Sequence, residues 1–213
     1  MKLRAALFDL DGTLVDSEPL HRRAIQDTLT QLGADVAALE PRDFVGLAER
    51  EFWIVAKDRF RLAAPLPELL ERKEVRYAEL ARVELRSMPG ASACLERFRA
   101  AGLPLAIASG STPRSIAVSV AVVGLGRFFR ALVSSLDPEV EEGKPSPAVF
   151  LAAARRLGID PAAALVVEDT EFGVEAGKAA GMFVVAIPNA WTRDHDFSAA
   201  DVVLRSLDEL EPW

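Results

Sequence analysis

Short apolar runs bounded by turn-forming residues recur along the chain. They do not alternate between hydrophobic and polar positions, which indicates that both faces of each run are buried. Fully buried runs of this length are typical of parallel strands in a sheet that helices cover on both sides. The predicted strands are Ala5–Phe8, Leu105–Ala108, Ala131–Val133, Leu165–Val167, Val184–Ile187 and Val202–Leu204.

Helical patterns occupy the stretches between these runs. The clearest of them are followed by a glycine where a helix C-cap belongs, as at Gly102 and Gly158. Strand and helix therefore alternate, and the sequence predicts an α/β fold with a doubly wound parallel sheet. The helices predicted in this part of the chain are Ala91–Ala101, Pro113–Val123, Pro147–Leu157 and Phe172–Ala180.

The segment between the first two predicted strands is longer than a simple crossover connection requires. It contains helical patterns over Pro19–Leu32, Glu49–Ala63 and Leu66–Leu85, and no strand-like run stands out. We therefore predict an inserted α-helical cap domain over residues 16–86. Residues 1–15 and 87–213 then form the α/β core.

Composition narrows the classes of function. The chain has 213 residues, half of them hydrophobic, and a net charge of −7. A net anion is a poor candidate for nonspecific nucleic-acid binding, because that binding requires a basic surface. The single cysteine, Cys94, excludes an intrachain disulfide, and the longest charge-free runs are too short to cross a bilayer. We expect a cytoplasmic protein without a nucleic-acid or membrane partner. No long exposed apolar helix stands out, which favours a monomer.

Two pairs of acidic residues follow predicted strands. Asp9 and Asp11 are two residues apart, which in extended chain places both side chains on one face, and Gly12 then permits a sharp turn. Glu168 and Asp169 end a second apolar run. If both strands are central and parallel, the carboxylates meet in the crevice at the carboxyl edge of the sheet. Like charges at short range require compensation, and Mg²⁺ is a cation that oxygen ligands bind well.

Two further segments point to the same edge. The segment SGSTP follows a predicted strand, so Ser109 and Gly110 present a hydroxyl and backbone N–H groups at a helix N-terminus, where anions are favoured. Lys144 lies in the segment EEGKPSP and is one of five lysines against 20 arginines. A compact ammonium group in a rigid turn suggests binding of phosphate or carboxylate.

Each of these features also has a simpler interpretation. Two aspartates before a glycine can form an ordinary turn, and the second acidic pair can supply capping charge to a helix. The serine-rich segment can be a loop, and a single lysine is usually solvated. Their convergence favours a functional site, because all of them follow strand-like runs or the turn just past one.

Four segments, FDLDGTLVDSEPLH, IASGS, GKPSP and VVEDTEFGVEAGKAAGM, occur in this order along the chain. Together they resemble the four motifs of the haloacid dehalogenase-like hydrolase superfamily, and the resemblance covers nearly the whole chain. The position of the insertion is similar to the cap of the branch that holds sugar-phosphate phosphatases and β-phosphoglucomutase. The resemblance implies a Rossmann-like core and an enzyme that acts on a small phosphorylated metabolite, with Mg²⁺ as its cofactor.

The resemblance also implies a role for each motif residue. Asp9 is the nucleophile that forms an aspartyl phosphate, and Asp11 is the general acid and base. Branches that resemble true dehalogenases and phosphonate hydrolases lack an acid at the position of Asp11, so its presence favours phosphate-ester chemistry. Ser109, Gly110 and Lys144 bind the phosphoryl oxygens. The implied metal site consists of Asp9, the backbone carbonyl of Asp11, and Asp169. Glu168 is either a further ligand or a residue next to the ligands that does not bind the metal itself.

Four cap residues are candidates for contact with substrate. His21, Gly46 and Lys73 match positions in caps of this branch, and Arg50 lies one place later than the arginine of the mutase pattern. For His21 a structural role remains an alternative, and for Lys73 a solvated helix face.

Departures from the mutase pattern bear on the reaction. Mutases have a lysine before the cap-loop glycine, where this chain has Val45, and an asparagine in the second motif, where this chain has Pro113. Both differences favour a phosphatase over β-phosphoglucomutase, with phosphoglycolate as an alternative substrate. A non-catalytic binding module is a third hypothesis, and the complete set of motif residues speaks against it.

Overall fold

The computed structural model describes residues 3–38 and 49–212. Within this part of the chain the predicted strands and helices are confirmed, with small shifts at their ends except at one helix that ends four residues early. The strands are β1 (Ala5–Phe8), β2 (Leu105–Ser109), β3 (Phe129–Ser134), β4 (Ala164–Glu168), β5 (Phe183–Ala186) and β6 (Val202–Val203). The helices are α1 (Glu18–Gln31), α2 (Glu49–Arg59), α3 (Leu66–Glu84), α4 (Ala91–Ala100), α5 (Pro113–Val122), α6 (Ala148–Leu157) and α7 (Glu171–Ala179).

The strands form one sheet in the order β3-β2-β1-β4-β5-β6, and every pairing is parallel. This arrangement confirms the predicted doubly wound α/β fold. From β1 the chain winds outward through β2 and β3, and it then returns to the other side of β1 at β4. The topological switch point therefore lies between β1 and β4, where ligands bind in open sheets of this kind.

Side chains of the central strands are buried on both faces of the sheet, which explains why hydrophobic and polar positions do not alternate. On one face Phe8 packs edge-to-face against Phe98 of α4, with ring centroids 5.7 Å apart. On the other face Leu7 belongs to a cluster with residues of α6 and α7. Helix α7 lies very close to the sheet, since a Cβ at Gly177 would stand only 2.8 Å from Val184 Cγ2.

The chain divides into two compact units, Met1–Asp16 with Arg86–Trp213, and Ser17–Leu85. The first holds the sheet and α4–α7. The second holds α1–α3, which pack around a hydrophobic cluster that includes Leu29, Trp53 and Leu69. No helix among the described residues is both long and apolar enough to cross a membrane.

One predicted helix ends earlier than expected. The pattern predicted a helix over Glu49–Ala63, but α2 ends at Arg59. Arg61 adopts a left-handed backbone conformation with φ of 51°, which a continuing helix cannot accommodate. The Lys57 ammonium donates a hydrogen bond to the Leu62 carbonyl at 2.9 Å and so stabilises the turn.

Candidate active site

The carboxyl ends of β1 and β4 bring the two predicted acidic pairs together. Asp9 follows β1 directly, and its backbone N–H donates to the Val167 carbonyl of β4 at 2.9 Å. Glu168 is the last residue of β4, and Asp169 follows it. Because β1 and β4 are adjacent and parallel, both pairs lie at the switch point.

Lys144 is the cation that faces this cluster. Its Nζ lies 2.5 Å from Asp9 Oδ1 and 2.6 Å from Glu168 Oε1, and it donates a third hydrogen bond to the Ala108 carbonyl at 3.0 Å. The ammonium also lies 4.9 Å from the centroid of the Phe150 ring. Burial alone would lower the pKa of Lys144, but the charges of Asp9 and Glu168 outweigh it and raise that pKa above its ordinary value. The two carboxylates therefore favour the charged form of the ammonium.

Glu168 uses both of its oxygens within the protein. While Oε1 contacts Lys144, Oε2 accepts hydrogen bonds from the backbone N–H groups of Asp169 and Thr170 and from the Thr170 hydroxyl, each at 2.9 Å. The residue is almost wholly buried at 1% exposure. Gly173 makes room for it, since a Cβ there would overlap the carboxylate. Of the two roles expected for Glu168, this geometry favours that of a residue that does not bind the metal itself and that orients Lys144.

Asp11 lies against the serine-rich segment that follows β2. Its Oδ2 accepts hydrogen bonds from the Ser111 hydroxyl at 2.7 Å and from the Ser109 hydroxyl at 3.1 Å. Ser109 Oγ in turn accepts from the Ser111 backbone N–H at 2.9 Å. Gly110 is exposed, and its carbonyl accepts from the Ser135 hydroxyl. The structure thus brings Asp11, which follows β1, and the predicted phosphate-binding segment into direct contact.

Asp169 is held by hydrogen bonds to both of its carboxylate oxygens. Thr13 Oγ1 donates to Oδ1 at 2.9 Å, and Asn189 Nδ2 donates to Oδ2 at 2.8 Å. Gly12 has a φ of +83° and passes so close that a Cβ would overlap Asp169 Oδ2. Asn189 was not among the predicted site residues. The one signal in the sequence that could have drawn attention to it is that it is the only asparagine of the chain.

The electrostatics of the cluster fit a divalent cation. Burial raises the pKa of Asp9 well above its usual range, and Lys144 offsets this only in part. Burial, together with the charges of Glu168 and Asp9, raises the pKa of Asp169 in the same way. Lys144 thus compensates the negative charge of the two carboxylates only in part, and carboxylate oxygens are what Mg²⁺ prefers.

Among the described residues, no group of three or more His, Cys, Asp or Glu side chains is arranged to hold a metal ion. The expected ligand set does not require one. It consists of two carboxylates, from Asp9 and Asp169, and the backbone carbonyl of Asp11. Mg²⁺ commonly retains several waters and takes only one or two carboxylates from a protein, so this set suits it.

The predicted cap residues lie in the helical unit, apart from Gly46, which falls outside the described residues. The His21 ring stacks on the Tyr77 ring with centroids 4.0 Å apart. Lys73 is buried, and its ammonium lies 2.9 Å from Glu49 Oε2, so it does not lie on a solvated face. Arg50 is exposed near the start of α2.

Comparison with known proteins identifies the family. The family description of the haloacid dehalogenase-like hydrolases matches residues 3–181. The chain is 35% identical to protein CbbY of Rhodobacter capsulatus over 94% of this chain and 92% of the relative. It is 33% identical to hexitol phosphatase B of Escherichia coli K12, over 98% of this chain and 95% of that protein.

A solved structure agrees with these relatives. A crystal structure of a variant of CbbY from Rhodobacter sphaeroides in complex with xylulose-(1,5)bisphosphate superposes with a TM-score of 0.88 at 28% identity, and it covers 98% of this chain and 96% of that one. The sequence match, the topology and the residues at the switch point agree with one another. The chain belongs to the haloacid dehalogenase-like hydrolases.

Proposed function

We propose that this chain is a Mg²⁺-dependent phosphatase that hydrolyses small phosphomonoesters, with sugar phosphates as its substrate class. One observation carries the proposal: Asp9 and Asp11 share the switch-point edge, where Asp9 contacts an ammonium and Asp11 contacts two hydroxyls. The names of the relatives support the same chemistry, since one is a hexitol phosphatase and another was crystallised with a sugar bisphosphate.

Asp9 acts as the nucleophile in this proposal. One of its carboxylate oxygens attacks phosphorus, the bond between phosphorus and the ester oxygen breaks, and an aspartyl phosphate forms. Asp11 gives a proton to the departing oxygen, so that the product leaves as an alcohol. Asp11 then accepts a proton from a water molecule that attacks the phosphorus of the aspartyl phosphate. This second step releases inorganic phosphate and restores both carboxyl groups.

Lys144 reduces the repulsion between the nucleophile and the phosphate. Both reactants are negative, and the ammonium already contacts Asp9 Oδ1 at 2.5 Å. Glu168 holds that ammonium from the other side, which limits the directions in which it can move. The Ser109 hydroxyl and the backbone at Gly110 supply neutral donors for the remaining phosphoryl oxygens.

Asp9, Asp169 and the carbonyl of Asp11 would hold Mg²⁺, which when bound supplies positive charge to the phosphoryl group and to the nucleophile. The incomplete compensation of the negative charge on Asp9 and Asp169 by Lys144 supports this assignment. Thr13 orients Asp169 through its hydrogen bond to Oδ1.

We assign the choice of leaving group to the helical unit, with His21, Gly46, Arg50 and Lys73 as candidate residues. A cytoplasmic location and a monomeric state belong to the same proposal.

Phosphate release from a panel of metabolites tests the proposal. The purified chain is incubated with sugar phosphates, polyol phosphates and phosphoglycolate, with MgCl₂ or with a chelator. We expect Mg²⁺-dependent release from at least one sugar or polyol phosphate. No release across the panel would reject the phosphatase. Conversion of β-glucose 1-phosphate to glucose 6-phosphate without net phosphate loss would instead favour a mutase.

A further inference from the structure

Asn189 lies outside the four motifs and yet touches the site. It is the only asparagine among 213 residues, and it follows the end of β5 by three positions. Since β5 is the neighbour of β4 in the parallel sheet, the chain that leaves it emerges at the same edge as Asp169. The position brings a neutral amide, rather than another charge, to a crevice already rich in carboxylates.

The hydrogen bonds of Asn189 determine which way its amide faces. Its Oδ1 accepts from the Trp191 backbone N–H at 2.7 Å, which a side-chain NH₂ group could not do. The NH₂ group must therefore point the other way, where it donates to Asp169 Oδ2 at 2.8 Å and to the Gly12 carbonyl at 3.0 Å. The backbone is held as well, because the Asn189 N–H donates to Thr192 Oγ1 at 3.0 Å.

One amide thus joins two segments that come from different strands. Gly12 belongs to the turn after β1, and Asp169 follows β4. Thr13, from the same turn, holds the other oxygen of Asp169. With both donors in place, the carboxylate cannot rotate without breaking a hydrogen bond. Each of its oxygens still has a lone pair available for a cation.

We propose that Asn189 is a positioning residue that orients Asp169 for the binding of Mg²⁺. The inference rests on the proposed function, in which this site binds Mg²⁺. Side chains that hydrogen-bond to metal ligands typically change metal affinity by about 10- to 100-fold when they are removed, so we expect about a tenfold loss at Asn189. The loss should appear without any substrate, because the amide acts on the ligand and not on the reacting group.

Direct metal binding tests the inference. Mn²⁺ serves as the probe, since free Mn²⁺ is counted by electron paramagnetic resonance in a titration of the full chain without substrate. Asn189→Ala removes the donor to Asp169. Thr192→Val is the matched control, because it removes the acceptor of the Asn189 N–H and loosens the same loop but leaves the amide in place. We expect Asn189→Ala to weaken Mn²⁺ binding about tenfold, and at least fivefold more than Thr192→Val does.

Two results would overturn the inference. The first is a loss in Asn189→Ala that is less than fivefold greater than the loss in Thr192→Val, and the second is a wild-type chain that binds no Mn²⁺. The phosphate-release panel is a separate measurement. If the chain releases phosphate but Asn189→Ala binds Mn²⁺ as tightly as the wild type, this inference fails and the proposed function stands. If Asn189→Ala does not fold, Asn189→Ser replaces it, because its hydroxyl is too short to reach Asp169.

Discussion

Replacement of Glu168 by glutamine removes one acceptor from a side chain that uses both. Glu168 accepts from Lys144 on one oxygen and from three donors of Asp169 and Thr170 on the other. Glutamine has one acceptor oxygen and one NH₂ group. Whichever way its amide turns, NH₂ faces either the Lys144 ammonium or the three donors. The change is nearly isosteric, so its effect reports hydrogen bonding and charge and not volume.

The magnitude follows from the burial of the group. Glu168 is 1% exposed and the Lys144 side chain 11%, so solvent replaces little of what is lost. Breaking a buried ion pair costs about 3–5 kcal/mol. Here Lys144 keeps its contact with Asp9, the glutamine retains part of the hydrogen bonding, and the repulsion between Glu168 and the nearby carboxylates is relieved, so we expect a smaller loss of about 2 kcal/mol in the free energy of unfolding. In a chain of this size that loss lowers the Tm by roughly 4–8 °C.

Thermal unfolding of the purified variant, followed by circular dichroism, measures the effect. Glu175→Gln is the matched control, since Glu175 is an exposed residue on α7 and the same chemical change there should stay within about 0.5 kcal/mol. Equal stability of the Glu168 and Glu175 variants would refute the reasoning, because the ammonium would then not depend on the Glu168 carboxylate.

Three further results are expected. Gly173→Ala should destabilise the chain by about 1–3 kcal/mol in urea unfolding, because its Cβ would overlap the Glu168 carboxylate. Burial raises the pKa values of Asp9 and Asp169, so without metal the free energy of unfolding falls as pH rises through those raised values. Mg²⁺ binds the ionised carboxylates, so MgCl₂ should raise the Tm more at about pH 7.5 than at about pH 5. Burial raises the pKa of Cys94 to about 12, so the thiol should react with an aromatic disulfide reagent only as fast as the chain unfolds.

Features with a local cause could be predicted from the sequence. The strands were recognisable because burial on both faces removes alternation over a few consecutive residues. The helix ends at Gly102 and Gly158 were recognisable because both adopt the left-handed conformation that glycine favours, with φ of 75° and 67°. Asp9 and Asp11 were placed by their spacing at the end of one strand, and the sheet order confirms that this strand is central.

Features that depend on distant neighbours could not be predicted. The contact between Asn189 and Asp169 exists because β5 pairs with β4, and no local pattern near Asn189 indicates that pairing. The burial of Lys73 depends on Glu49, which belongs to a different helix and lies 24 positions away. The early end of α2 depends on the backbone conformation of Arg61, since the helical pattern itself continues beyond it.

The kcat of the Asp9→Asn variant, measured on a substrate that the wild-type chain hydrolyses, tests the central claim most directly. Asparagine keeps the shape of the side chain but cannot form an aspartyl phosphate. Loss of a nucleophile typically lowers kcat by three or more orders of magnitude, so we expect a fall of at least about 1,000-fold. A variant that retains activity within about tenfold of the wild type would contradict the assignment of Asp9 as the nucleophile.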